Sequence, residues 1–168
     1  IISARVPEEV AVPLAEAAAL PCAGLTAHEA LFERLRITDD ATLLVVGGAG
    51  YIGSHMVWLL GQRGVQVTVL DNLSTGHRDA VLHGRLIEGD MADAAWLDSL
   101  FAQHRFDAVM HFASCIQVAE SVTDPAKYYT NNVANTLTLL GAMRDHGVQR
   151  FVFSSSAAVF GEPLYSPI

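Results

Sequence analysis

The rhythm of apolar and polar positions changes at residue 42. Leu43-Leu44-Val45-Val46 is an unbroken apolar run that ends in glycines. Such a run predicts a parallel strand buried on both faces. A second strand is expected over Val65 to Leu70, ending at Asp71-Asn72, and a polar loop over Ser74 to Arg78 follows it. Further strands are expected over Arg85 to Glu88, Asp107 to Phe112 and Arg150 to Ser154. Helical spacing of apolar residues marks Tyr51 to Arg63, closed by Gly64, and Ala92 to His104, with Asp93 near its start. It also marks Pro125 to His146, stopped by Gly147. Five strands separated by helices predict an α/β fold, a doubly wound parallel sheet in the order 3-2-1-4-5, with the fifth strand at an edge.

Residues 1–41 read differently, as a helical extension ahead of the domain over 42–168. Ala11 to Ala19 has a good helix composition, and Pro21 ends it. Thr26 and Glu29 fit a capping box for a second helix through Arg36, with Leu31, Phe32 and Leu35 as its apolar stripe.

Composition narrows the function. Of 168 residues, 51% are hydrophobic and 17% charged, which excludes a disordered chain. The net charge of −8 gives no general attraction to nucleic acid or to an anionic membrane. Any phosphate must therefore be held by local geometry. No apolar run approaches the ~20 residues of a membrane span. Cys22 and Cys115 follow no metal or redox spacing, so two reduced thiols in a cytoplasmic protein are expected. The seven histidines are scattered, and no metal site is expected.

The candidate chemistry begins at Gly47-Gly48-Ala49-Gly50-Tyr51-Ile52-Gly53. Gly47 allows a sharp turn off the strand, Gly50 lets backbone approach a pyrophosphate, and Gly53 lets the helix pack on the sheet. The helix starts with a partial positive charge aimed at that phosphate. The strand–glycine–helix context is the one a dinucleotide site requires, and Asp71 ends the next strand at the expected distance. A carboxylate there accepts hydrogen bonds from an adenosine ribose and repels a 2′-phosphate, so NAD is expected over NADP. The domain is thus read as Rossmann-like.

From Gly47 onward the strings GGAGYIGSH, LDNLSTGHR, EGD, HFA, ESV, YYTNNV and FVFSSSAAVFGEP follow in order. In this order and spacing, residues 43–168 resemble the UDP-glucose 4-epimerases among the extended short-chain dehydrogenases/reductases. The resemblance implies NAD as cofactor, a UDP-sugar as substrate and epimerisation at C4, and it leaves a homodimer open. It implies that Gly47, Gly50, Tyr51, Ile52 and Gly53 line the pyrophosphate, that Asp71 and Asn72 meet the ribose, and that Asp90 and Met91 meet the adenine. Phe112 and Ala113 would border the cofactor, although Phe112 is equally open to a plain core role. Asn131 would tie the fourth strand to the site. Ser154 and Ser155 would lie beside nicotinamide and sugar, and Ser156 would be the catalytic residue that hydrogen-bonds the reacting hydroxyl. Ordinary turn chemistry remains an alternative for the three serines.

The chain also departs from that pattern. The family commonly has Gly-Leu-Lys after HFA, where this chain has Ser114, Cys115 and Ile116. No Tyr-x-x-x-Lys pair occurs, because Lys127 is the single lysine and position 123 is Thr. The domain is therefore expected to be truncated at its C-terminus and inactive by itself. Residues 1 to about 47 resemble instead a segment of zinc-free medium-chain quinone reductases and alcohol dehydrogenases. Two alternatives to an epimerase follow: a catalytically incomplete NAD-binding fragment or chimera, and an oxidoreductase of the quinone-reductase type.

Overall fold

The computed structural model describes residues 36–156. The helices expected over 11–19 and 26–36 lie outside this range, apart from Arg36. Strands β1 (Thr42–Val46), β2 (Gln66–Asp71), β3 (Arg85–Glu88), β4 (Ala108–His111) and β5 (Phe151–Phe153) form one sheet. All pairings are parallel, and the order is β3-β2-β1-β4-β5. The expected order is the one observed.

Helix α1 (Tyr51–Gln62) links β1 to β2, and α2 (Ala94–Gln103) links β3 to β4. The apolar run of β1 divides between the two sides of the sheet, as the two-residue repeat of a strand requires. Leu43 and Val45 pack with Met56, Val57 and Leu60 of α1. Leu44 and Val46 pack with Leu97, Leu100 and Phe101 of α2 and with Leu139 and Met143. Both faces of β1 are thereby removed from water, and Leu43, Leu44 and Val45 are fully buried.

Most expected elements shift by only a residue or two. Asp93 caps α2, accepting from the Trp96 amide at 3.0 Å, so the helix starts after Asp93. The segment between β4 and β5 holds more than was expected. A short helix α3 (Val118–Thr123) precedes α4 (Pro125–Tyr128), whose start is fixed by Asp124 accepting from the Lys127 amide and by Pro125. The expected single helix from Pro125 is then interrupted by a π-helical turn, Tyr129–Ala134, before α5 (Asn135–Asp145).

The crossover from β3 to β4 passes the whole first half of the sheet. Chain direction away from the centre therefore reverses between β1 and β4. Their carboxyl ends separate there, which opens the crevice where ligands enter sheets of this type.

Candidate functional site

Three glycines shape the floor of that crevice, for different reasons. Gly47 has φ +78°, and a Cβ on it would lie 2.6 Å from the Ala113 nitrogen. A Cβ on Gly53 would lie 2.2 Å from the Gly47 oxygen. Both are demanded by backbone packing, which ties the glycine loop to the end of β4 and to α1. Gly50 is different: its φ is −76°, and among the described residues an added Cβ would meet only the Gly47 oxygen, at 3.4 Å. Among the described residues nothing requires glycine at position 50. Space is kept open there on the cleft side, as an approaching phosphate would need. Helix α1 begins at this point with no side-chain cap and no acidic residue in its first turn. The positive end of its dipole thus faces the cleft with no acidic residue of the helix's own first turn beside it.

Asp71 is buried at the end of β2, 8% exposed. Its Oδ2 accepts from the Ala49 amide at 2.9 Å, and its Oδ1 accepts from the Leu73 amide at 2.9 Å. The carboxylate thus fixes the glycine loop and its own loop together, and each oxygen keeps a lone pair for a further donor. The second bond holds Leu73 in the left-handed region, φ +56°. Asn72 accepts from the Ser74 amide at 3.1 Å and donates to Asp90 Oδ2 at 3.2 Å. Asp90 in turn accepts from the Ala92 amide at 2.9 Å. This chain of bonds joins the ends of β2 and β3 into one wall.

The opposite wall is the stretch after β4. Asn131 donates to the Ala113 oxygen at 2.8 Å. Asn132 accepts from the Cys115 amide at 2.8 Å and donates to the Cys115 oxygen at 2.9 Å. Asn131 also donates to Asn132 Oδ1 at 2.9 Å. Consecutive residues of an α-helix do not face the same neighbour; these two reach one segment from the π-helical turn. At the cleft mouth Lys127 Nζ meets Glu120 Oε1 at 2.6 Å. The Tyr128 hydroxyl lies 2.7 Å from the Gln117 oxygen and 2.8 Å from Glu120 Oε2. The lysine and tyrosine bonds hold the Glu120 carboxyl below its usual range, and Glu120 raises Lys127. Tyr128 is raised first by loss of solvent, then by Glu120.

These walls enclose a cleft of about 620 Å³, within the range of small-molecule sites. Fourteen of the fifteen residues singled out from the sequence line it: Gly47, Gly50, Tyr51, Ile52, Gly53, Asp71, Asn72, Asp90, Met91, Phe112, Ala113, Asn131, Ser154 and Ser155. Phe112 both lines the cleft and packs on the core, so the two roles open to it are combined. The Ser154 amide donates to the His111 oxygen at 3.2 Å, which sets the serine turn beside β4. Ser156 does not line the cleft and is the last described residue. Sequence reading missed Asn132 and the Glu120–Lys127–Tyr128 cluster. The adjacent asparagines in YYTNNV and the Asp124-Pro125 helix start were the available signals. Among the described residues no group of acidic, histidine or cysteine side chains could hold a metal ion, and no helix is long and apolar enough to cross a membrane.

Comparison with known proteins places this arrangement. The model of the NAD dependent epimerase/dehydratase family matches residues 43–168. The UDP-glucose 4-epimerase of Rhizobium leguminosarum bv. trifolii is 50% identical over 127 residues, which cover 76% of this chain and 39% of that protein. The UDP-glucose 4-epimerase of Halalkalibacterium halodurans is 51% identical over 126 residues, 75% of this chain and 38% of that protein. Among solved structures, UDP-glucose 4-epimerase from Brucella ovis in complex with NAD superposes with a TM-score of 0.73 at 50% identity, covering 76% of this chain and 39% of that one. The chain thus spans about two-fifths of the length of the relatives it matches. A parallel sheet with its cleft at the switch point, the glycine loop under that cleft, and a family match over three-quarters of the sequence agree: the chain belongs to the NAD-dependent epimerase/dehydratase family.

Proposed function

We propose that this chain is the cofactor-binding part of a UDP-glucose 4-epimerase and that its cleft holds NAD. The observation that carries this reading is Gly50, a glycine whose missing side chain serves no neighbour among the described residues and which lines the cleft. The backbone at Gly50, Tyr51 and Ile52 would receive the pyrophosphate at the positive end of α1. Asp71, already oriented by two backbone amides, would accept from the adenosine ribose hydroxyls. Asp90 and Met91 would border the adenine, and Phe112, Ala113 and Asn131 the nicotinamide end. When bound, NAD would take hydride from C4 of the sugar and return it to the opposite face.

Ser154 and Ser155 line the same cleft and would lie beside nicotinamide and sugar. The family resemblance, rather than the cleft lining, is what would give Ser156 the hydrogen bond to the reacting hydroxyl. A serine hydroxyl does not take that proton at neutral pH without an activated partner, and acid–base assistance is worth ~10²–10⁴ in rate. The 168 residues contain no Tyr-x-x-x-Lys pair to supply it, so this chain alone is expected to bind NAD without turning over UDP-glucose.

Calorimetric titration tests it. NAD binds more tightly than NADP, and replacing Asp71 with Asn narrows the difference. Equal or tighter binding of NADP by the unaltered chain would refute the assignment of Asp71. A coupled assay for UDP-galactose tests the second half. Turnover within about tenfold of an intact relative would mean that another residue acts as the base.

A further inference from the structure

Beside the end of β2, outside the residues that line the cleft, lies a charge pair that the cofactor reading leaves unexplained. Asp71 and Glu88 are in-register neighbours on β2 and β3. Such neighbours share a face of the sheet, and the flanking pairs agree: Val69 and Leu86 pack on the α1 side, Leu70 and Ile87 on the other. The loop after Asp71 folds back over the glycine loop. A Cβ on Gly76 would lie 2.8 Å from the Ala49 carbonyl carbon, and the His77 amide donates to the Ala49 oxygen at 3.0 Å. The Ala49 amide is the one that Asp71 holds. Arg78, next in sequence to His77, is thereby brought near the end of β2, outside the residues that line the cleft. There its guanidinium meets Glu88 Oε2 at 2.5 Å.

An arginine near the end of β2 is the group that receives a 2′-phosphate in dinucleotide sites of this kind. Here it is already occupied by a carboxylate. We propose that Glu88 is a specificity-determining residue: it keeps Arg78 from a 2′-phosphate and so reinforces the preference of Asp71 for NAD over NADP. This rests on the reading of the cleft as an NAD site. Both side chains are largely exposed, 62% and 57%, so the pair adds little to fold stability and its variants fold. A guanidinium released from Glu88 offers a phosphate the paired donors that suit it.

The test is a double-mutant cycle on the 168-residue chain, with Kd for NAD and NADP measured by calorimetry. Glu88→Gln tightens NADP binding about fivefold, the upper end of what release from an exposed ion pair is worth. It leaves NAD binding within about twofold, since NAD places no charge there. Arg78→Gln added to Glu88→Gln removes the gain, and raised salt shrinks it. No gain in the single variant overturns the proposal. A gain that survives loss of Arg78 also overturns it, because mere relief of negative charge would then suffice. An unaltered chain that binds neither dinucleotide overturns the cofactor reading, and this inference with it. An unaltered chain that binds NAD, with no response to Glu88→Gln, refutes this inference alone.

Discussion

Gly50 and Gly53 are three residues apart in one loop, yet substitution should separate binding from folding. Among the described residues a Cβ at position 50 meets only the Gly47 oxygen, at 3.4 Å, and φ there is −76°. Gly50→Val therefore costs the fold about 1 kcal/mol or less, part of it offset by the reduced freedom of the unfolded chain. In the cleft the added side chain fills the space proposed for the pyrophosphate. Two charge-assisted hydrogen bonds lost at ~1.5–3 kcal/mol each come to ~3–6 kcal/mol, or ~10²–10⁴ in affinity for NAD. At position 53 the same atom would sit 2.2 Å from the Gly47 oxygen and 2.8 Å from the Gly48 Cα. Both are backbone atoms and cannot turn aside, so Gly53→Ala costs ~1–3 kcal/mol or more of stability. Thermal unfolding and calorimetric titration of the two variants decide the matter. A Gly50→Val protein that binds NAD like the unaltered chain would refute the phosphate site, and one that fails to fold would refute the claim that position 50 is free of packing demands.

Two other outcomes follow from hydrogen bonds and burial. Asn131→Ala leaves the Ala113 oxygen without its donor; the expected loss is ~1–2 kcal/mol in denaturant unfolding, with faster amide exchange at Cys115, whose acceptor Asn132 Oδ1 loses the donor that orients it. His111 is fully buried, and burial lowers its pKa from 6.5. A group depressed in the folded state binds its proton first in the unfolded chain, so stability is complete above 6.5 and falls as pH drops below it. An unfolding midpoint that is flat through this window would show that His111 is not held neutral by the fold.

The sheet was legible because its signals are local. Leu43 to Val46 could satisfy two apolar faces only as a central strand, and the right-handed rule for crossovers then fixed the order of its neighbours. The floor of the cleft was legible for the same reason, since the segment Gly47 to Gly53 runs directly from β1 into α1 and Asp71 ends the adjacent strand β2. The wall after β4 was not. Asn131 stands out in sequence as a poor helix former, but the pairing of Asn132 with Cys115 bridges 17 residues and needs the π-helical turn that interrupts the helix after Tyr128. Helical periodicity carries no mark of that extra residue per turn. Helix α3 is too short, at 6 residues, for its apolar positions to declare a period. The Glu120–Lys127–Tyr128 cluster was hidden because it depends on how α3 and α4 meet. Asp71 was assigned to the ribose from its position alone; its two backbone amides show that it also holds the glycine loop in place.

A crystal structure of the 168-residue chain grown with NAD tests the central claim most directly. The account predicts the pyrophosphate against the backbone of Gly50, Tyr51 and Ile52, a ribose hydroxyl within hydrogen-bond distance of Asp71, and the nicotinamide between Phe112 and Ser154. A dinucleotide bound elsewhere, or bound in the cleft with Asp71 touching only the Ala49 and Leu73 amides, would contradict it.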